Sequence, residues 1–283
     1  MRTYLDCIPC FVRQTLEAAR LATDDRAVHE RAVRAVLANI ADMDLGDPPP
    51  RMGQIIHRTV RDMTGAEDPY RDAKQRFNAF ALRLYPELKE RADASGDPLA
   101  AAVHLAAAGN IVDLGVKSGL EHDQIEAAVE GALTDPLDPA DIREFRTAVD
   151  AANDILYLAD NAGEIVFDRL LLEYLPRDKI TLAVRGKPII NDALREDAEA
   201  AGITDLVPVI DNAADVPGTI LAECSAAFRR RFERADLIIS KGQGNYETLS
   251  DVPQPVFFLL KVKCPVIAQD IGCPVGRLIL RRK

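Results

Sequence analysis

From about residue 153 the sequence alternates short, mostly apolar runs with amphipathic segments, and few architectures accommodate that alternation. The runs are 155–159, 180–184, 206–210, 237–240, 256–260 and 265–268. Segments with helical spacing lie between the earlier ones, at 165–175, 191–201 and 218–234. A run of four or five apolar residues without polar alternation fits a strand buried on both faces. Such strands separated by helices predict an α/β fold: a mostly parallel sheet covered on both sides. Right-handed crossovers then collect the carboxyl ends of the parallel strands along one edge. Open sheets of this class bind ligands at that edge.

Residues 1–150 follow a different period. Apolar residues recur every three or four positions over 9–22, 27–40, 51–63 and 71–84, with further helices at 99–109 and 141–152. Asp47-Pro48-Pro49-Pro50, Thr64-Gly65 and Ser95-Gly96-Asp97-Pro98 supply the breaks. The expected organisation is an all-helical N-terminal domain over 1–150, followed by an α/β domain over 151–283.

The net charge of −10, with no basic stretch able to track a phosphate backbone, argues against nucleic acid as a partner. No apolar run is long enough to span a bilayer, and MRTYLDCIPC lacks the apolar centre of a signal peptide. A soluble, cytoplasmic protein without a membrane partner is expected. An odd number of cysteines (Cys7, Cys10, Cys224, Cys264, Cys273) argues against a secreted disulfide framework. All four histidines (His29, His57, His104, His122) fall in the first half. A cation in the second half must therefore use carboxylates, amides, carbonyls or thiols. Oxygen ligands of that kind suit Mg²⁺ or Mn²⁺ better than Zn²⁺.

The first apolar run stops at Asp160-Asn161-Ala162-Gly163-Glu164, and a helix follows. Two hard oxygen ligands thus sit at the carboxyl end of a strand, facing a helix N-terminus suited to an anion. Asp160 or Asn161 could alternatively serve only as a helix cap. Other polar groups gather at the same edge. They are Arg185-Gly186-Lys187-Pro188 with Asn191-Asp192, Asp211-Asn212, Lys241 with Gly242, Gly244 and Asn245, and Lys261. Carboxylates to hold a cation, with lysines to offset phosphate oxygens, are what phosphoryl transfer requires. Gly242-Gln243-Gly244 resembles part of a dinucleotide fingerprint, but Glu247 stands where a third glycine is needed.

Six ordered segments resemble the DUF89 proteins, the ARMT1-like damage-control phosphatases, and in particular their stand-alone prokaryotic branch with an N-terminal cysteine pair. These are Asp6-Cys7-Ile8-Pro9-Cys10, Ala108-Gly109-Asn110-Ile111-Val112-Asp113, Asp160 to Glu164, Lys187-Pro188-Ile189-Ile190-Asn191-Asp192, Ser240 to Glu247, and Leu260-Lys261-Val262-Lys263-Cys264. The resemblance implies a helical region packed on a Rossmann-like α/β/α sandwich. It also implies metal-dependent hydrolysis of small phosphorylated metabolites, with Mg, Mn, Co or Ni as the divalent ion. It assigns the metal to Asp160, Asn161 and Asp192, and places Lys241 and Asn245 near the substrate phosphate with Glu164 close by. On this reading Asp160, Asp192, Glu164 and Lys241 are the catalytic set, and Glu164 or Asp192 orients water if water attacks directly. Lys241 and the amides of 162–164 bind the remaining phosphate oxygens. Asn110 and Asp113 shape specificity from the helical half, and Lys261 adds a cation at the sheet edge.

One distant branch of the family supplies an alternative, S-adenosylmethionine-dependent carboxyl methylation, although the turn after the first strand holds only Gly163. A non-enzymatic thiol or metal-binding protein is a further alternative. It would use Cys7-Ile8-Pro9-Cys10 at a helix start, where a thiolate is favoured, but it leaves Asp160, Asp192 and Lys241 unexplained.

Overall fold

The computed structural model describes residues 1–109, 130–131, 134 and 137–283. Its sheet is built from β1 (Ile155–Leu158), β2 (Ile180–Val184), β3 (Val209–Asp211), β4 (Leu237–Lys241), β5 (Val256–Lys261) and β6 (Leu278–Arg282). The order is β3-β2-β1-β4-β5-β6, with β6 antiparallel and the other pairs parallel. Ile155 of β1 lies opposite Ile180 on one side and Leu237 on the other. The strand order therefore reverses between β1 and β4, and a crevice opens there beyond the strand ends.

Alternate residues of each strand enter different cores. Ile155 and Tyr157 of β1 pack on one face with Leu182, Ile239 and Phe257. Leu156 and Leu158 pack on the other with Ile238, Phe258 and Leu260. The first face is covered by α4 (Arg71–Asp93), α5 (Pro98–Ala107), α6 (Pro139–Ala151) and α7 (Glu164–Glu173). The second is covered by α9 (Ala226–Arg234), α10 (Gln243–Leu249) and α11 (Pro265–Ile271). The short α8 (Arg195–Ala200) lies between β2 and β3. The larger core thus crosses residue 150, because α4 to α6 form a layer of the sandwich. Helices α1 (Ile8–Ala22), α2 (Arg26–Ala41) and α3 (Pro49–Thr64) enclose two small clusters of their own, around Phe11, Val36 and Ile56 and around Ala19, Ala32 and Val60.

Four expectations of the sequence require correction. The run at 206–210 yields only the three-residue strand Val209–Asp211. The run at 265–268 is helical, not a strand, because Pro265 sits in the first turn of α11, where its fixed φ and missing N–H favour a helix start. A short apolar run does not distinguish the two states by periodicity. The sixth strand is Leu278–Arg282, whose two terminal arginines obscure its apolar half. The helix expected over 218–234 begins only at Ala226, where the Ser225 hydroxyl accepts from the Phe228 N–H as its cap. No helix among the described residues is long and apolar enough to cross a membrane.

Candidate active site

The loops after β1 and β2 are stitched together by backbone hydrogen bonds. Ala193 N donates to Asp160 O and Ala162 N to Asn191 O, both at 2.8 Å, and Asn161 forms an isolated bridge with Asp192. This brings Asp160, Asn161 and Asp192 onto the floor of a cleft of about 570 Å³ at the β1/β4 reversal. Phe11 and Pro50 from the helical half line its far wall. Gly242, just past β4, completes the approach with φ +81°, and a Cβ there would lie 1.9 Å from Asp160 Oδ2. Only glycine satisfies both conditions. A smaller hollow of about 310 Å³ between α2 and α3 lies away from the strand ends.

The polar bonds sort these side chains by role. Asn161 Nδ2 donates to Asp160 Oδ2 at 2.8 Å and to Glu164 Oε2 at 3.4 Å, so the atom its amide can offer a cation is the oxygen. Arg185 Nε donates to Asp192 Oδ2 at 2.7 Å. Lys241 Nζ donates to Glu164 Oε1 at 2.8 Å and to Asp168 Oδ1 at 2.6 Å. All six charged groups (Asp160, Glu164, Asp168, Asp192, Arg185 and Lys241) are buried. Counted as fully ionised, four carboxylates against two cations leave the cluster two negative charges in excess. Burial, then the charges of Glu164 and Asp192, push the Asp160 carboxyl well above its usual range. Burial also raises Asp192, although Arg185 opposes it. Burial disfavours the Lys241 ammonium, but Asp168 and Glu164 outweigh that and hold it charged.

Two carboxylates and an amide oxygen in a cluster short of two positive charges fit a hard divalent cation by donor type and by charge. No group of three His, Cys, Asp or Glu side chains among the described residues is placed to hold a metal ion. The third oxygen of this set comes from an asparagine.

The other expected site residues distribute differently. Glu164 lies beneath the floor at 3% exposure, beside Gly109, where a Cβ would sit 2.4 Å from Glu164 Cγ. Lys241 has no exposed surface and does not line the cleft, since two carboxylates hold it inside. Asn245 is equally buried. Its Oδ1 accepts from Thr219 Oγ1 at 2.7 Å and Arg185 Nη2 at 3.3 Å, so it supports Arg185 rather than facing the cleft. Lys261 ends β5 away from the cleft wall; the lysine that lines the wall is Lys263, two residues on. The amides of Ala162 and Gly163, expected to receive phosphate, already donate to Asn191 O and to Asn78 Oδ1. Asn110 and Asp113 lie outside the described residues.

Asp168 and Asn78 join the cluster without a sequence signal beyond their polarity. Arg185 follows β2 directly and is one of the strand-end groups the sequence placed at this edge, with no role assigned to it. Asp168 and Asn78 lie inside helices, where nothing in the local pattern marks them.

The damage-control phosphatase ARMT1-like domain family model matches residues 3–279. The chain belongs to this family. A damage-control phosphatase of Archaeoglobus fulgidus is 34% identical over 281 residues, covering 97% of each chain. An uncharacterized protein of Methanocaldococcus jannaschii is 37% identical over 291 residues, covering 98% of this chain and 94% of its own. A crystal structure of a DUF89 family protein from Pyrococcus horikoshii superposes with a TM-score of 0.91 at 33% identity, covering 100% of this chain and 99% of that one. The α/β/α sandwich with its helical partner is thus the fold of this ARMT1-like family, and the protein is a phosphatase of the damage-control type.

Proposed function

We propose that the protein hydrolyses small phosphorylated metabolites with the help of a divalent cation held by Asp160, Asn161 and Asp192. The observation that carries this reading is the grouping of Asp160, Asn161 and Asp192 at the sheet's reversal point, on the floor of an open cleft, with both carboxyls pushed above their usual range. Without a cation such carboxyls are relieved by taking up protons; a divalent cation among them would hold them ionised. When bound, the cation supplies Lewis-acid stabilisation of charge developing on the phosphoryl oxygens.

The chain's own residues prepare that place. Asn161 presents its oxygen because its nitrogen is taken by Asp160 and Glu164. Arg185 fixes one oxygen of Asp192 and leaves the other for coordination. Lys241 pins Glu164 from behind, so Glu164 acts as an orienting carboxylate beneath the cation rather than as a mobile base. Lys263 is the cleft cation that meets a phosphate oxygen, the role the sequence suggested for Lys241 or Lys261.

The test is hydrolysis of sugar phosphates and p-nitrophenyl phosphate by the purified protein with Mg²⁺, Mn²⁺, Co²⁺ or Ni²⁺. A parallel sample stripped with EDTA is checked by metal analysis. Turnover that needs added cation is expected. Full turnover in metal-free protein removes the cation from the reading, and no turnover of any phosphomonoester with any of these ions removes the reaction.

A further inference from the structure

Helix α4 belongs to the first half of the chain, yet one of its side chains sits between the two loops of the cation site. Asn78 is 5% exposed. Its Oδ1 accepts from Gly163 N at 2.6 Å, and its Nδ2 donates to Asp197 Oδ1 at 2.7 Å. Asp197 in turn accepts from Leu194 N through Oδ2 at 2.8 Å. Gly163 lies two residues beyond Asn161, and Leu194 two residues beyond Asp192. The path Gly163–Asn78–Asp197–Leu194 therefore ties both ligand-bearing loops to one helix.

The chemistry of the position is demanding. A backbone N–H on one side requires an acceptor, and a carboxylate on the other requires a donor. An asparagine supplies both at this length. An aspartate keeps the acceptor but sets a second carboxylate against Asp197, and an alanine leaves the buried Gly163 N–H and Oδ1 of Asp197 without their hydrogen bonds.

We propose that Asn78 is a positioning residue that fixes the spacing between Asn161 and Asp192, and so sets the affinity of the site for its cation. The proposal rests on the cation reading given above. Groups that orient metal ligands without touching the metal typically govern affinity by ten- to a hundredfold, and that is the loss expected for Asn78→Asp.

The probe is Mn²⁺ alone, titrated by electron paramagnetic resonance into wild-type protein, Asp192→Asn, Asn78→Asp, and the exchanged pair Asn78→Asp with Asp197→Asn. In the exchanged pair the amide at 197 can donate to the carboxylate at 78 and still accept from Leu194 N, so both connections are restored with reversed polarity. The expected result is at least tenfold weaker Mn²⁺ binding in Asn78→Asp, with recovery to within about threefold of wild type in the exchanged pair. The KM for p-nitrophenyl phosphate at saturating Mn²⁺ should stay within about twofold in both. Wild-type affinity in Asn78→Asp overturns the proposal. So does an exchanged pair that melts like wild type but remains more than threefold weaker. If Asn78→Asp does not fold, the exchanged pair decides alone by the same threefold limit. Equal Mn²⁺ binding by wild type and Asp192→Asn would instead overturn the cation site itself, a separate failure.

Discussion

Asp160 and Asp215 are both buried carboxylates near the junction of the helical and α/β halves, and their surroundings are opposite. Asp215 is encircled by donors from α3. Arg58 reaches it through Nε at 2.9 Å and Nη2 at 2.6 Å, Arg61 through Nη2 at 2.5 Å and Gln54 through Nε2 at 3.0 Å. Burial opposes its ionisation, but these bonds outweigh burial and hold its carboxyl well below the usual range. Asp160 receives one amide donor, faces Glu164 and Asp192, and is pushed up instead. A carboxylate supplied with cations by the fold clamps two parts of the molecule. One left short of them is kept ready for something that arrives from solution.

The sharpest way to break this contrast is Asp160→Asn. Phosphatase activity should fall by about a thousandfold or more, equivalent to roughly 4 kcal/mol of transition-state stabilisation. The metal-free protein should melt higher than wild type, because a carboxylate repelled by Glu164 and Asp192 is gone. A lower melting temperature in the absence of metal would mean that the charge is satisfied within the fold.

The next effect in size is expected at Lys241. Replacing it with methionine leaves Glu164 and Asp168 facing each other in the interior, which should cost about 3–5 kcal/mol in urea unfolding. Lys263→Met serves as its counterpart on the cleft wall. It should change stability by less than about 0.5 kcal/mol while lowering kcat/KM about tenfold, or roughly 1.4 kcal/mol. If the two lysines exchanged these behaviours, the buried one would be the phosphate-facing group after all.

Asp215→Asn should destabilise the protein by about 2 kcal/mol, a moderate figure because Arg58 is half exposed and screened by solvent. The activity of the folded fraction should be unchanged. Because the folded-state pKa of Asp215 is depressed, its contribution is complete above the unfolded value near about 3.9. It is lost as pH falls below that value toward the folded one. Urea unfolding of wild type and Asp215→Asn between pH 7 and pH 3 should show a constant difference above about pH 5 that shrinks below about pH 4. A difference at pH 3 as large as that at pH 7 would assign the stabilisation to something other than the ionised carboxylate.

Much of the sheet could be read from the chain because strands buried on both faces have to be apolar throughout. The ends of β1, β2 and β4 lie within a residue of the apolar runs that mark them. β6 escaped because an antiparallel edge strand can carry Arg281 and Arg282, and α11 was mistaken for a strand because Val266, Ile267 and Ala268 are apolar in either state. For the site, the sequence brought carboxylates, amides and lysines to one edge but could not rank them by depth. Lys241 and Lys263 are both lysines near strand ends; one is bonded to two carboxylates in the interior and the other is exposed on the cleft wall.

By itself the sequence determined the strand-ending Asp160-Asn161 pair and the family to which these motifs are similar, because local pattern fixes where a buried strand must stop. Only the tertiary structure decided which charges are matched. Around that pair it brought Asp168 from a helix interior to Lys241, Asn78 from another to Gly163, and Arg185 from the loop after β2 to Asp192. Whether a buried carboxylate is matched or left short depends on the charges that folding places around it, and those lie from 4 residues away, as Glu164 from Asp160, to 157, as Arg58 from Asp215.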